Sequence, residues 1–466
     1  MLDQQDMTDP SERVRDEEGA IRPDFVEQVT KAVESDDVPA LLELVGDLHE
    51  ADLGDLLEAL DPELRPRLVE LLGKEFDFSA LTEVDDTVRE EIIEELEPTA
   101  VAENVRELDS DDAVTILQDL PQESRAEILD QLPPPERVAL ARSLDYPENS
   151  AGRIMQTEFI AVPRDWTVGH AIDYMRETDE LPERFYELYV VDPAHRFQGA
   201  VALDRLLRTK RPVPVVELMD EERLRVLGSE DQERVARLFE RYNLVSIPVV
   251  DDADRLVGVI TVDDIVDVIE EEADEDVKAL GGVSRHEELS DTVSYTVRSR
   301  FPWLFANLLT ALLASWVISL FEHSIQRMVA LAVLMPIVAS MGGNAGTQSM
   351  TVAVRALATR ELGASNVARV IRRELSVGAL NGLAFAVILG TVAFAWFGVR
   401  DLGAVIGFAI LTVLTVAALG GILIPLTLYR MGVDPAVSSG PFVTTVTDVV
   451  SFFSFLGLAT LWFGLQ

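Results

Sequence analysis

The chain has 466 residues and a formal net charge of −43, which argues against nucleic-acid binding because that function needs basic side chains to replace phosphate counterions. It has no cysteine and 5 histidines, which excludes disulfides, thiolate catalysis and cysteine-based zinc sites and disfavours a histidine-built metal site. Residues 301–466 hold 8 arginines, no lysine and 6 acidic residues, so the excess acid lies in residues 1–300. Adaptation of a halophilic organism to high salt and binding of divalent cations both account for such an acidic soluble half.

The first predicted region is an acidic tail at residues 1–23. It is polar and has no apolar stretch of the signal-peptide type, so we expect it to be disordered and cytoplasmic. Residues 24–153 repeat a short amphipathic helix that opens with Leu and then Asp or Pro, as at Leu120 and Leu132. Such units bury their apolar faces only against their neighbours, which predicts an all-α superhelical domain. This domain is either a regulatory surface or a plain helical spacer.

An α/β pattern with an internal repeat follows at residues 154–270. The stretch 188–207 aligns without gaps on 247–266, and each copy has a strand, an acidic turn, a second strand and the start of a helix. This resembles a tandem pair of cystathionine-β-synthase (CBS) domains, with the copies at residues 154–217 and 218–270.

The CBS resemblance implies a nucleotide site in the second copy. Thr261 and Asp264 match the T-x-x-D positions at which similar domains hold the ribose of ATP or another adenosine nucleotide. The first copy has Ala202 and Arg205 at the same positions, which weakens the case for that half. The structural alternative is that Thr261 caps the following helix and Asp264 completes a capping box.

A strongly acidic helix is predicted to connect the CBS pair to the rest of the chain, over residues 271–297. Apolar residues recur at helical spacing along 263–283, and the opposite face is almost wholly carboxylate. Carboxylates three and four residues apart repel one another, and hard cations such as Mg²⁺ or Ca²⁺ would relieve that repulsion. A solvated acidic face in a salt-adapted chain is the alternative.

The remaining residues, 298–466, contain apolar segments that are each long enough to cross about 30 Å of hydrocarbon. The five segments are residues 301–321, 327–354, 375–398, 402–429 and 440–464. Arginines are concentrated before the first segment and between the second and third. The segments predict an all-α bundle in the cell membrane. The arginine distribution, by the positive-inside rule, predicts a cytoplasmic N-terminus and an extracellular C-terminus.

Two of these segments carry polar groups at membrane depth. The second contains GGNAGTQ, including Gly343 and Asn344, which favours a pore lining over simple packing through small residues. The last contains Asp448, and no Lys or Arg lies within the spanning segments to neutralise it. A permeating cation would compensate the charge, whereas a protonated carboxyl bonded to a neighbouring helix is the alternative. Thr444, Asp448 and Ser451 are spaced to share one helical face.

The order of these parts resembles the MgtE family of magnesium channels and transporters. The most specific motifs are GGNAGTQ followed by RALATR (355–360), MGVDPAVSSGPF (431–442) and TDVVSFF (447–453). The resemblance implies a homodimer whose second and fifth spans line one pore, with Asp448 as the selectivity carboxylate. Asn344, Gly343 and Thr444 lie along the same predicted pathway.

The resemblance also implies regulation by cytosolic Mg²⁺ and no enzymatic activity. Ions would bridge the helical domain, the CBS pair and the acidic helix, known in the family as a plug, and would stabilise a closed pore. The implied sensor residues are Asp264, Asp267, Glu272, Glu275 and Asp276. The rival hypotheses are a coupled secondary transporter for divalent cations and a non-conducting, membrane-anchored nucleotide or ion sensor. The expected partners are a second copy, the lipid bilayer and Mg²⁺, without nucleic acid.

Overall fold

A computed structural model describes residues 14–16, 19–178, 181–182, 184–285, 287–363 and 365–465. The chain forms two compact units, residues 1–272 and 273–466, which are described separately below.

The first unit begins with a stack of short helices that share one apolar core from Val14 to Leu144. Prolines near the first turn and short 3₁₀ pieces between helices keep each helix brief. The α-helices of this stack are Pro23–Glu34, Val38–Val45, Glu50–Ala59, Arg65–Leu72, Asp86–Glu95, Pro98–Val105, Ser110–Gln118, Gln122–Gln131 and Pro134–Leu144. The predicted superhelical domain is confirmed.

Arginines join consecutive helices of the stack. The Arg65 Nε donates to the carbonyls of Leu57 and Leu60, at 2.9 and 3.1 Å. Arg89 repeats this contact with carbonyls eight and five residues earlier, and Arg125 does so with carbonyls seven and five residues earlier. The last carbonyls of a helix lack partners within that helix, so each arginine satisfies the end of the preceding unit.

Part of the predicted disordered tail is packed instead. Val14 is only 2% exposed and belongs to the core of the helical stack. The guanidinium group of Arg15 forms ion pairs with Asp52 and Asp55, both at 2.6 Å. These contacts overturn the expectation of disorder for the described residues among 14–22, while residues 1–13 lie outside the described residues.

Two three-stranded sheets of the same design follow. In the first, β1 (Ala161–Pro163) runs parallel to β2 (Glu187–Val191), which pairs antiparallel with β3 (Phe197–Ala202). The second repeats this order and directions. Its strands are β4 (Val226–Leu227), β5 (Ser246–Val250) and β6 (Leu256–Thr261). The helices of the pair are Val168–Glu177, Leu203–Leu207 and Gln232–Tyr242. This confirms the tandem CBS prediction.

The connecting helix spans Val262–Gly281 and follows β6 without a break. It therefore starts inside the second CBS copy and ends well before residue 297, which corrects the predicted bounds of 271–297. The residue that follows the helix, Gly282, has a φ of +73°, which favours glycine. A side chain at Gly282 would also collide with the indole of Trp303.

The described residues of the second unit include five helices long and apolar enough to cross a membrane. They are TM1 (Val293–Ser319), TM2 (Ala330–Ala358), TM3 (Val367–Phe397), TM4 (Arg400–Arg430) and TM5 (Pro435–Phe463). A short helix, Glu322–Arg327, joins TM1 to TM2. TM4 is the most buried of the five, and its apolar residues form a core with TM2 and TM5. The predicted spans are confirmed, and each helix extends beyond its apolar segment at one end or at both.

Candidate ion pathway and acidic regulatory site

TM2 and TM5 approach each other closely through glycine. A Cβ added to Gly342 would lie 2.6 Å from the Ser451 Oγ, and one added to Gly346 would lie 2.8 Å from the Thr447 Cγ2. Both hydroxyl-bearing residues are consequently buried between the helices. Since TM2 stays helical through the GGN sequence, these glycines serve packing and do not break the helix.

A second face of TM2 is polar and uncovered within one chain. Asn344 is exposed, and a Cβ on the adjacent Gly343 would have nothing within 4 Å. The other exposed polar residues of this face are Ser340, Thr347, Gln348 and Thr351. Their spacing of three and four residues makes one continuous stripe along the helix. Because hydrocarbon does not satisfy such groups, the stripe requires water or protein against it.

The carboxylate of the candidate ion pathway, Asp448, lies on TM5. Asp448 is partly buried and makes no hydrogen bond or ion pair to another described residue. Thr444, one turn earlier, is exposed, and its hydroxyl donates to the Gly440 carbonyl at 3.0 Å, which leaves the oxygen free to accept. Ser451 does not share this open face as predicted, because its side chain occupies the space left by Gly342.

The end of the connecting helix contacts both TM2 and TM5. Ala279 is buried in one apolar cluster with Met350 and Val354 of TM2 and with Ala436 and Val443 of TM5. A displacement of this helix end would therefore change the packing of the two helices that carry Asn344 and Asp448.

The start of the connecting helix is capped by its own carboxylate. The Thr261 amide donates to Asp264 at 3.1 Å, and the Thr261 hydroxyl donates to the same oxygen at 2.8 Å. The bond from the Thr261 amide is the half of the capping box that Asp264 was predicted to complete, whereas the Thr261 hydroxyl donates to the carboxylate and does not act as the predicted N-cap acceptor.

Asp264 also faces a carboxylate of the helical domain, and the two form a hydrogen bond. That partner, Asp111, is only 6% exposed, and its burial together with the adjacent Asp264 raises its pKa well above the ordinary value. Burial raises the pKa of Asp264 to about 6. Burial, with Asp109 nearby, raises the pKa of Asp112 to about 7. Among the described residues, these carboxyls have no basic partner, and a proton or a cation would stabilise them.

Further carboxyl side chains lie near Asp111 and Asp264. Burial raises the pKa of Glu83, and the carboxylate of Asp267 on the connecting helix raises it further. Burial likewise raises the pKa of Asp267 itself. Within the described ranges, however, no group of three or more His, Cys, Asp or Glu side chains has the arrangement of a metal site. The described carboxyls lie close together but do not form a preformed coordination sphere.

The predicted sensor residues do not all come together. Asp264 and Asp267 face carboxylates of the helical domain. Glu272 accepts from the Gln232 Nε2 at 3.1 Å, and Glu275 lies 3.8 Å from Arg285. Asp276 follows on the same helix.

The contribution of the helical domain was missed from sequence. Asp111 and Asp112 lie in the unit LDSDDAV and were interpreted only as part of a repeat. The available signal was the concentration of three aspartates at one helix start, at residues 109, 111 and 112, which the neighbouring units lack. Glu83 carried no comparable signal, because its role depends on the packing of separate helices.

A cleft in the CBS pair includes the T-x-x-D threonine but is nearly closed. Thr261, Tyr189 and Ser246 are among its lining residues, and the space inside is about 10 Å³, room for a single water molecule. The Tyr189 hydroxyl donates to the Ser246 Oγ at 3.2 Å, and Arg223 forms an ion pair with Glu187 at 2.9 Å. An adenosine would have to open this cleft to enter it.

Comparison with known proteins matches each part of the chain. The profile of the MgtE divalent cation transporter domain matches residues 335–458, and that of the MgtE intracellular N domain matches residues 48–149. The CBS domain profile matches residues 151–211 and 215–271.

Curated relatives match across most of their length. The magnesium transporter MgtE of Bacillus subtilis (strain 168) is 36% identical over 316 residues, which are 68% of this chain and 70% of the relative. The magnesium transporter MgtE of Thermus thermophilus is 37% identical over 320 residues, with the same shares. A solved structure of the cytosolic domain of the Mg²⁺ channel MgtE in complex with ATP is 31% identical and covers 52% of this chain and 99% of that chain, with a TM-score of 0.49.

These findings define a multi-pass membrane protein of the divalent-cation transporter class, with CBS domains and a helical N-domain. The chain belongs to the MgtE family of magnesium transporters. Membership confirms the family resemblance, and because this is a transporter family, it also confirms that the protein is not an enzyme.

Proposed function

We propose that this protein is a Mg²⁺-selective channel of the cytoplasmic membrane that mediates magnesium uptake. The observation that carries the proposal is the unpaired Asp448 of TM5, on a helix packed against the polar-striped TM2. A carboxylate at membrane depth costs on the order of 2.5–3.5 kcal/mol unless it is compensated. A permeating divalent cation is the compensation that also explains the polar stripe.

A second copy completes the pathway in this proposal. The stripe containing Asn344 needs a polar cover, and the same stripe on a second copy supplies one around a water-filled axis. Two Asp448 carboxylates would then face one another across that axis. This suits Mg²⁺, which gives up its water reluctantly and is held well through its hydration shell. Thr444 and Asn344 would accept from or donate to that water.

Gating in this proposal depends on the acidic regulatory site, which consists of the carboxyls of Asp111, Asp112 and Asp264. When cytosolic Mg²⁺ is scarce, repulsion around Asp111 and Asp264 favours separation of the helical domain from the connecting helix. When it is abundant, cations hold these carboxylates together and stabilise the arrangement in which the helix end packs on TM2 and TM5. Such control requires tighter cation binding to the closed state than to the open state. The N-terminus is cytoplasmic and the C-terminus extracellular in this scheme.

An adenosine nucleotide is a further proposed ligand of the CBS pair, at the cleft that contains Thr261. Binding would require Tyr189 and Ser246 to separate, because the closed cleft has no room for adenine. Calorimetric titration of ATP into the full-length protein tests this, with Thr261→Ala as the comparison. Binding to the wild type that the substitution weakens supports the site, and absence of binding contradicts it.

Flux through reconstituted protein tests the main proposal. In liposomes, Mg²⁺ uptake should follow the Mg²⁺ gradient and the membrane potential alone, and Asp448→Ala should abolish it. Uptake that depends on a Na⁺ or H⁺ gradient would instead indicate a coupled transporter. Absence of any flux in the wild-type protein would favour a non-conducting sensor, and equal flux in the variant would contradict the proposed role of Asp448.

A further inference from the structure

The loop between TM2 and TM3 and the start of TM3 concentrate positive charge beside the membrane. Five of the 8 arginines in residues 301–466 lie between residues 355 and 373. Three of them, Arg369, Arg372 and Arg373, are exposed on the first turns of TM3. Among the described residues, none of the three forms an ion pair, and the Arg372 Nε only donates to its own helix, at the Ala368 carbonyl.

These arginines share one helical face with aliphatic side chains farther along TM3. At 100° per residue, positions 369, 372, 373, 376, 380, 383 and 387 all fall within one third of the circumference. The apolar members are strongly exposed, with Leu380 at 69%, Leu383 at 57% and Val387 at 64%. The face therefore changes from cationic at the membrane surface to aliphatic within the bilayer.

The acidic residue next to these arginines, Glu374, is directed away from the arginine face. Glu374 follows Arg373 directly but accepts from the buried Ser349 of TM2 at 3.2 Å. Its carboxylate is thus directed into the helix bundle, and the outward face keeps its positive charge.

The loop that precedes these arginines is held in place by packing and hydrogen bonds. Leu362 of the preceding loop is buried against Leu357 of TM2 and Leu426 of TM4. Asn366 accepts from the Gly363 amide at 2.9 Å and donates to the Glu361 carbonyl at 2.6 Å. The start of TM3 is therefore fixed relative to TM2 and TM4, which is what a binding surface of defined geometry requires.

We propose that this face of TM3, the TM3 lipid stripe, binds an anionic phospholipid, with the headgroup phosphate on Arg369, Arg372 and Arg373 and an acyl chain along Leu380, Leu383 and Val387. Arginine binds phosphate well because its planar donors match the phosphate oxygens. The aliphatic continuation selects a lipid over a free anion. A second copy is the less suitable cover, because the polar stripe of TM2 needs protein or water whereas this face needs hydrocarbon. The proposal does not depend on ion conduction.

The test uses full-length protein purified in a mild detergent at low salt. Thermal unfolding is followed with added phosphatidylglycerol, with phosphatidylcholine of the same chain length, and with glycerol 3-phosphate, and native mass spectrometry counts the retained lipid. Phosphatidylglycerol should raise the unfolding midpoint more than phosphatidylcholine does, and glycerol 3-phosphate should have no effect. The triple variant R369Q/R372Q/R373Q should lose this preference. Each arginine is expected to contribute about fivefold to the retention of phosphatidylglycerol, so the triple variant should retain it roughly a hundredfold more weakly.

The matched control is Arg430→Gln. Arg430 is exposed at the end of TM4, on the same side of the membrane by the number of crossings, and lies on another helix. This variant should retain the wild-type preference, and replacing all three stripe arginines by lysine should preserve most of it. If the triple variant does not fold, each single Arg→Gln variant should show about the fivefold loss. Equal stabilisation by both lipids, a preference unchanged in the arginine variants, or equal protection by glycerol 3-phosphate would overturn the proposal.

Discussion

The soluble and membrane units treat their buried carboxylates in different ways. In the soluble unit several partly buried carboxylates pair with arginine, as when Arg89 contacts Asp119 at 2.7 Å or Arg223 contacts Glu187 at 2.9 Å. Asp111 instead faces another carboxyl group, that of Asp264. In the membrane unit, Asp448 has no described partner at all.

This contrast separates two roles for the same chemical group. A buried carboxylate beside arginine is neutralised within the chain, and it holds helices together. A buried carboxylate without a base depends on something outside the chain, either a proton or a cation. We therefore propose structural roles for Asp119 and Glu187 and ion-dependent roles for Asp448, Asp111 and Asp264.

The largest expected effect is on transport. Asp448→Asn keeps the shape of the side chain but removes the charge that attracts the cation, so Mg²⁺ flux into liposomes should fall by at least about a hundredfold, as expected for losing roughly 3 kcal/mol of ion stabilisation. The melting temperature should not fall. Asp401→Asn, at the start of TM4 and outside the proposed pathway, is the control and should conduct normally. Normal flux in the Asp448 variant would contradict the proposed pathway.

Arg89→Ala tests the structural role of carboxylates that are paired with arginine. The guanidinium group is buried, pairs with Asp119 and donates to several carbonyls, so its removal should destabilise the helical domain by about 3–5 kcal/mol. Chemical denaturation of the full-length protein measures this. Arg67→Ala is the matched control, because its ion pair with Asp36 is exposed, and it should cost about 0–1 kcal/mol. Similar losses in both variants would remove the distinction between buried and exposed pairs.

Substitutions at two neighbouring glycines of TM2 compare a position packed against TM5 with one on the open face of the helix. Gly342→Ala should destabilise the membrane unit by about 1–3 kcal/mol, because the new methyl group would overlap Ser451 and Val413. Gly343→Ala should leave stability nearly unchanged, since nothing lies within 4 Å of the added carbon. Thermal unfolding in detergent compares the two. The packing assignment is wrong if the two variants behave alike or if their order is reversed.

The smallest expected effect is the pH dependence of the acidic regulatory site. The pKa of Asp112 is raised from 3.8 to about 7, so the folded state binds its proton more tightly than the unfolded state does. This contribution to stability is complete below about pH 4 and is lost as the pH rises toward 7. Without divalent cations, the wild type should therefore lose more stability than Asp112→Asn between pH 5 and pH 8.

Added Mg²⁺ supplies a check on the same prediction. It should raise the unfolding midpoint of the wild type more at pH 8 than at pH 5, because the carboxylates are ionised and unneutralised at the higher pH. A wild type and an Asp112→Asn variant with parallel pH profiles, and Mg²⁺ stabilisation that is independent of pH, would contradict the assignment.

Sequence reasoning identified the repeated units and the apolar segments because both are periodic. It also found Asp448, since one charge in a long apolar run is conspicuous. It placed Ser451 on the wrong face because helical angles alone do not show that Gly342 leaves a space for it. It missed Asp111 because pairing between separate domains is a tertiary contact that no local pattern encodes.

The central claim is that Asp448 marks a conducting pathway controlled by the acidic regulatory site. Patch recording with controlled internal Mg²⁺ tests it most directly, on the wild type and on Asp111→Asn/Asp264→Asn. We predict a Mg²⁺ current that reverses at the Mg²⁺ equilibrium potential, closes as internal Mg²⁺ rises, and closes less readily in the double variant. A current that requires a Na⁺ or H⁺ gradient, or closure that is identical in the double variant, would contradict the claim.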